Sequence, residues 1–198
     1  MSWNEALRAD VDPDATGTDM KLLIVYASTE GQTAKIAERM AAVVHGLDHS
    51  AELVNVDRLA ADFDLHCYDA VVVGASVHMG QHQQSVVNFV KKHLAELQTM
   101  PSAFVSVTLS AAQADAAGQR AAEACIDRFL METDWQPDKT AHFAGALKYS
   151  KYGLLKRFIM KRIAKRAGGD TDTSQDYEYT DWNAVVNFTR DFVASWPV

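Results

Sequence analysis

What this chain lacks narrows it early. Only two cysteines, Cys67 and Cys125, occur in 198 residues, and they form no paired motif. Neither a disulfide framework nor a zinc site is indicated, and a reducing compartment is expected. No apolar run approaches the roughly 18 residues that cross a bilayer, and no signal-peptide pattern opens the chain. The seven histidines nowhere occur as HxH or beside a cysteine pair, and no metal site is expected. Internal repeats and low-complexity segments are absent. What is present, 48% hydrophobic and 23% charged residues, describes a soluble globular protein. The length fits one domain with an ample core and room for one sizeable insertion.

Charge is unevenly placed. Lys148, Lys151, Lys156, Arg157, Lys161, Arg162, Lys165 and Arg166 lie in one stretch with no acidic residue among them. The whole chain nevertheless carries a net charge of −7, so a strongly basic segment is set in an acidic body. Such asymmetry implies a local electrostatic task. Nucleic acid is a poor partner for so acidic a body, and no reader motif accompanies the segment. The first nineteen residues, with Asp10, Asp12, Asp14 and Asp19 around Pro13 and Gly17, read as a mobile acidic tail. Residues 20–198 then form the domain.

The junction at residues 21–33 says most about chemistry. Leu22 to Ala27 is a continuous apolar run, as in a strand buried on both faces. Ser28, Thr29, Glu30, Gly31, Gln32 and Thr33 follow at once and open a helical pattern. A strand ending in small hydroxyl residues at a helix N-terminus makes an anion site, because free N–H groups and the aligned peptide dipoles face the ligand. With no Lys or Arg the loop is not a P-loop, and it lacks the three-glycine dinucleotide fingerprint. Neutral donors around a phosphate suit a bound mononucleotide better than phosphoryl transfer. An ordinary N-capped helix would account for the same residues.

Beyond this junction strands and helices alternate. Helical spacing recurs over 34–44, 86–97 and 116–131, and in a last helix from about Thr180-Asp181 to before Pro197. Strands are expected at 53–56, 69–75, 103–109 and 141–146. Five strands so arranged imply a parallel sheet in a three-layer sandwich, an α/β fold. Ligands of such sheets sit outside the carboxyl ends of the strands. Three segments end at that edge: Ser28–Thr33; the stretch Ala75, Ser76, Val77, His78, Met79, Gly80 and on to His82; and Thr108, Leu109, Ser110 to Ala112. Small residues there let backbone approach a flat ring, and His78 or Met79 is placed to cover a ring face. A solvated loop histidine is the alternative for His78. His82 is expected to cap the following helix.

Here a family enters. The loop Ser28-Thr-Glu-Gly-Gln-Thr33 resembles the phosphate loop of flavodoxins, with Glu30 where the usual form carries a second hydroxyl. More narrowly, the chain resembles the flavodoxin-like, menaquinone-dependent protoporphyrinogen IX oxidases of bacterial haem synthesis. The matching stretches include Gly74-Ala-Ser76, Phe89-Val-Lys-Lys-His93, Met100-Pro-Ser-Ala-Phe104, Phe129-Leu-Met131, Gly145-Ala-Leu-Lys-Tyr149, Gly168-Gly-Asp-Thr-Asp-Thr173 and Tyr179-Thr-Asp-Trp182. The resemblance implies a flavodoxin-like doubly wound sheet of order 2-1-3-4-5, with FMN as cofactor held by the three segments above. It implies protoporphyrinogen IX as donor and a membrane quinone as acceptor. It also implies a helical insertion after strand five, about 148–176, at the cytoplasmic face of the membrane.

Within that insertion Leu154, Leu155, Phe158, Ile159 and Ile163 share a broad apolar half on a helical wheel. Lys151, Lys156, Arg157, Lys161 and Arg162 are the residues expected to meet an anionic membrane surface or the propionates of a porphyrin. A solvated surface helix is the alternative. Two other functions stay open on the sequence: a flavodoxin-type electron carrier, which the basic insertion disfavours, and a flavin quinone reductase with another donor. No residue stands out as a catalytic acid or base.

Overall fold

The structure, a computed structural model, describes residues 19–60, 63–113, 115–147 and 176–196. The expected tail up to residue 18 and the basic residues Lys151, Lys156, Arg157, Lys161 and Arg162 lie outside the described residues. Asp19, the last residue of the expected tail, accepts a hydrogen bond from the Ser50 N–H at 3.1 Å.

The strands are β1 (Lys21–Ala27), β2 (Ser50–Asn55), β3 (Ala70–His78), β4 (Gln81–His82), β5 (Ser102–Thr108), β6 (Lys139–Ala144), β7 (Ala146–Leu147) and β8 (Tyr177–Glu178). The helices are α1 (Gln32–His45), α2 (Gln84–Lys92), α3 (Leu94–Leu97), α4 (Ala116–Thr133) and α5 (Trp182–Val193). The main sheet runs β2-β1-β3-β5-β6, and every neighbouring pair along that path is parallel. Counting these five strands in chain order gives 2-1-3-4-5, the expected order.

The apolar runs have the cause that the sequence suggested. All seven residues of β5 are buried, and β1 and β3 are buried along most of their length. Two cores result, one on each face. Leu22, Ile24, Val72 and Val105 pack under α1 and α5, with Ile36, Met40, Val185 and Phe192 above them. Leu23, Val25, Val71, Val73 and Phe104 meet the α2 and α4 side chains Val86, Val90, Ile126 and Phe129. The Phe104 and Phe129 rings stack with centroids 4.1 Å apart. Asp181 and Asp115 cap α5 and α4, each through a carboxylate that accepts first-turn N–H groups.

Four local expectations change. Strand three does not end at residue 75: it runs to His78 and turns back as β4, with Val77 opposite His82 and His78 opposite Gln81. Met79 and Gly80 make the turn, both at positive φ (52° and 79°). That combination defines the tight hairpin turn whose twist matches the strands. His82 therefore does not cap a helix; it sits in β4, and Gln83 precedes α2 without a side-chain cap. The helix expected over 86–97 breaks at His93, whose ψ of 23° leaves helical geometry. Strand five stops at Ala144, and after Gly145 the chain starts β7, which pairs antiparallel with β8.

Gly118, in the first turn of α4, fixes how that helix meets the 3-10 turn Leu109–Ala112. A Cβ there would lie 2.9 Å from the Ser110 carbonyl oxygen and 2.3 Å from the Gln113 Cβ. Helix propensity favours Gly118→Ala by about 1 kcal/mol, yet the clash with backbone outweighs it. The expected result is net destabilisation by about 1–3 kcal/mol, read as a lower urea midpoint. A midpoint that rises would show the turn to be free to move.

Candidate functional site

Because the sheet is parallel, β1, β3, β5 and β6 all deliver their carboxyl ends to one edge. There a cleft of about 620 Å³ opens. Its walls bring together the three segments singled out from the sequence: Ser28, Glu30, Gln32 and Thr33; Ser76, Val77, His78, Met79 and Gly80; and Thr108, Leu109 and Ser110. A cavity of this size accommodates a ligand of cofactor dimensions.

Gly31 is the N-cap of α1 at φ 94°, a conformation that disfavours any side chain. Its N–H donates to Ser28 Oγ at 3.0 Å, which folds the loop back on itself. The first helical bond runs from Lys35 N to Gly31 O, so the N–H groups of Gln32, Thr33 and Ala34 are left to another acceptor. Thr33 is 2% exposed, and its hydroxyl has no partner within the protein. A buried hydroxyl without a partner costs free energy unless a ligand supplies one. Gln32, 4% exposed, donates through Nε2 to Thr180 Oγ1 at 2.8 Å, while its Oε1 is buried without a partner. The Thr180 hydroxyl in turn donates a hydrogen bond to Ala144 O at 2.7 Å.

Three predicted residues stand off the wall. Thr29 is exposed, and its hydroxyl accepts from Gln83 Nε2 at 3.4 Å; Gln83 also donates to Ser76 Oγ, so one amide spans the first and second segments. Ala75 is fully buried inside β3. Gly31 acts through its backbone, as the turn into α1. The wall also contains residues that the sequence reading missed: Ala121, Cys125 and Arg128 of α4, and Val107, Gly145 and Ala146. The first three share one face of α4 at helical spacing, a signal that identifies a face but not its neighbour. Gly145 was hidden because the apolar run past Ala144 read as unbroken strand.

Behind the hairpin, His82 is partly buried. Its ring meets Phe104 and Phe129 edge-on with centroids 5.2 Å away in each case, and Nε2 lies 2.9 Å from Ser106 Oγ. Burial, with the nearby Arg128 charge, pushes the ring's pKa down to about 4. Beside the cleft the β7–β8 ribbon is held by the Lys35–Glu178 ion pair at 2.7 Å, with Trp182 Nε1 on the other Glu178 oxygen at 3.1 Å. The Lys35 hydrogen bond is the main reason that the Glu178 carboxyl titrates below its usual range. Leu109 packs with Leu147, Tyr177 and Tyr179, so the third segment and the ribbon support one another.

A strand–loop–helix anion cradle at the carboxyl edge of a 2-1-3-4-5 sheet is flavodoxin architecture, and the chain belongs to the flavodoxin domain family, whose model matches residues 23–174. Its relatives are more specific. The chain is 40% identical over 172 residues, 87% of this chain and 94% of the other, to the Protoporphyrinogen IX dehydrogenase (quinone) of Escherichia coli strain K12. A protein of the same name from Leishmania major is 34% identical over 175 residues, 88% of this chain and 75% of the other. Among solved structures, oxidised Flavodoxin 2 from Bacillus cereus shares the fold at 18% identity and a TM-score of 0.53, over 88% of this chain and 98% of that one.

The depressed His82 pKa makes stability depend on pH in a stated window. An unfolded histidine titrates near 6.5. Below that pH the unfolded chain binds a proton that the folded chain refuses until about pH 4. Stability contributed by the neutral ring is therefore complete above about 6.5 and falls as pH drops towards 4, by at most about 3 kcal/mol. Urea unfolding at pH 7 and pH 4.5 should show a smaller acid loss for His82→Gln than for the unmutated protein. Equal losses would place the acid sensitivity elsewhere.

Proposed function

We propose that this protein is an FMN-dependent dehydrogenase that oxidises protoporphyrinogen IX and passes the electrons to a membrane quinone of the menaquinone type, on the haem-synthesis route. The observation that carries this reading is 40% identity through 94% of the length of a bacterial enzyme of that name. An electron carrier or a quinone reductase with another donor would use the same fold without that likeness.

The site residues suit FMN. A phosphate at the α1 N-terminus would meet the N–H groups of Gln32, Thr33 and Ala34 and would give the buried Thr33 hydroxyl a partner. Ser76–Gly80 and Thr108–Ser110 stand where they would flank the ring. Bound there, the isoalloxazine supplies the two-electron redox chemistry, and the protein supplies binding and orientation. The hairpin turn at Gly80 would offer the ring a backbone wall, and Gln83 ties the first two segments together through Thr29 and Ser76. No residue of the wall is assigned as acid or base, and none is required where solvent takes the donor's protons.

Anaerobic mixing of the FMN-loaded protein with protoporphyrinogen IX should bleach the flavin absorbance, and a menaquinone analogue should restore it. Thr33→Val should weaken FMN binding by roughly tenfold to a hundredfold, the effect of one lost hydrogen bond to a charged group. A flavin that stays oxidised with protoporphyrinogen IX but is reduced by another donor would assign the chain to the alternative quinone reductase.

Membrane attachment is proposed to come from the surface, since no helix among the described residues is long and apolar enough to cross a bilayer. Basic residues near an anionic leaflet contribute about 1 kcal/mol each. Changing Lys156, Arg157, Lys161 and Arg162 to Glu together should leave FMN bound and abolish binding to phosphatidylglycerol vesicles. Binding by the unmutated protein should fade as salt rises and the Debye length shrinks below about 8 Å. Vesicle binding that survives the reversal would remove these charges from the membrane contact.

A further inference from the structure

The large hydrophobic side chains most exposed among the described residues are two methionines, Met79 at 104% and Met131 at 81%. Both lie near one residue, Arg128: the first through the hairpin turn, the second one helical turn further along α4. Met79 is in the hairpin turn, and the carbonyl of the next residue, Gly80, accepts from Arg128 Nη1. Met131 follows Arg128 by three positions on α4, on the same helix face. Arg128 is also the one Lys or Arg among the described residues that line the cleft. Single exposed apolar residues are ordinary; two of them near the one Lys or Arg that lines the cleft among the described residues are not.

We infer that Arg128, with Met79 and Met131 near it, seats a carboxylate of the tetrapyrrole substrate at the edge of its apolar macrocycle. This rests on the proposed function. The cofactor phosphate has no call on Arg128, because α1 and its neutral donors lie on the opposite face of the sheet from α4. The hydrogen bond to Gly80 uses one of five guanidinium N–H donors and leaves the rest for a planar carboxylate. Glu132, four positions on, is paired with Lys91 at 3.6 Å and not with Arg128. A porphyrinogen presents carboxylates on short arms around a broad apolar ring. Unbranched, polarisable methionines adapt to such a surface, and the flanking cation fixes its orientation. The geometry makes Arg128 a specificity residue: it reads the acid groups, while the chemistry takes place deeper in the cleft.

The test is equilibrium binding of protoporphyrin IX and of its dimethyl ester to the FMN-loaded protein in one detergent, followed by porphyrin fluorescence. The unmutated protein should prefer the diacid by roughly tenfold or more, the scale of one charge-assisted hydrogen bond. Arg128→Met should bind both forms alike, and Arg128→Lys should keep part of the preference. Met79→Ser with Met131→Ser should weaken both ligands equally and leave the preference intact. FMN affinity and the thermal midpoint, measured on every variant, separate this from loss of fold. The inference is overturned if the unmutated protein shows no preference, if Arg128→Met keeps it, or if Arg128→Met loses FMN, which would give the residue to the cofactor. Loss of phosphatidylglycerol vesicle binding with the diacid preference retained would give it to lipid. An unmutated protein that holds no FMN would instead sink the proposed function.

Discussion

Water is excluded from both faces of the central strands, and the rest of the molecule follows from that exclusion. β5 has no exposed residue, and β1 and β3 are closed along nearly all of their length. Backbone groups in so dry a layer must be paired within it, and a parallel ladder does so only if the chain crosses over after each strand. The crossovers after β1, β3 and β5 contain α1, α2 and α4, and α5 follows β6; α1 and α5 cover one face of the sheet, α2 and α4 the other. Every strand then stops at the same edge, and the peptide groups just beyond its last ladder bond lose their partners together. The cleft is where that shared debt of hydrogen bonds accumulates, which is why neutral loop residues suffice to build an anion cradle there.

The edge is tightened by a chain of polar contacts between segments distant in sequence. Gln32 at the start of α1 reaches Thr180, and Thr180 reaches Ala144 at the end of β6. Lys35 and Trp182 meet on Glu178. The helix that presents the free N–H groups is thus braced against the strand that closes the far side of the sheet. Buried hydrogen bonds of this kind specify geometry more than they add stability, because their unmade alternatives are costly. The exposed Lys35–Glu178 pair contributes less.

The sequence made the sheet legible wherever a strand was covered on both sides. Uninterrupted apolar runs at 22–27, 69–75 and 103–109 located β1, β3 and β5, and their alternation with helical spacing implied a parallel sheet, while its order was implied by the family resemblance. The walls built from consecutive residues were legible too: Ser28 to Thr33 and Ser76 to Gly80 are both strand ends. Boundaries failed where a turn used unusual chemistry. Met79-Gly80 makes a tight hairpin without the Asn-Gly or Asp-Gly pair that advertises one, so β3 was cut short and His82 was given a capping role. The α4 wall was invisible for a different reason. Ala121, Cys125 and Arg128 mark a face by their spacing, but only the packing of α4 over β5 decides that the face looks into the cleft. Contacts between helices and loops carry no signal in a single sequence.

The two-stranded ribbon has a further consequence. Ala146 lies opposite Glu178 and Leu147 opposite Tyr177, so residues some thirty positions apart in sequence are brought side by side. That pairing is a narrow gate in the sequence: all five strands of the main sheet precede it. Closing a longer or shorter segment across the gate changes the free energy by only about 0.6 kcal/mol for each doubling of its length. The ribbon therefore behaves as a socket. The five parallel strands, all earlier in the sequence, keep their ladder whatever number of residues separates Leu147 from Tyr177.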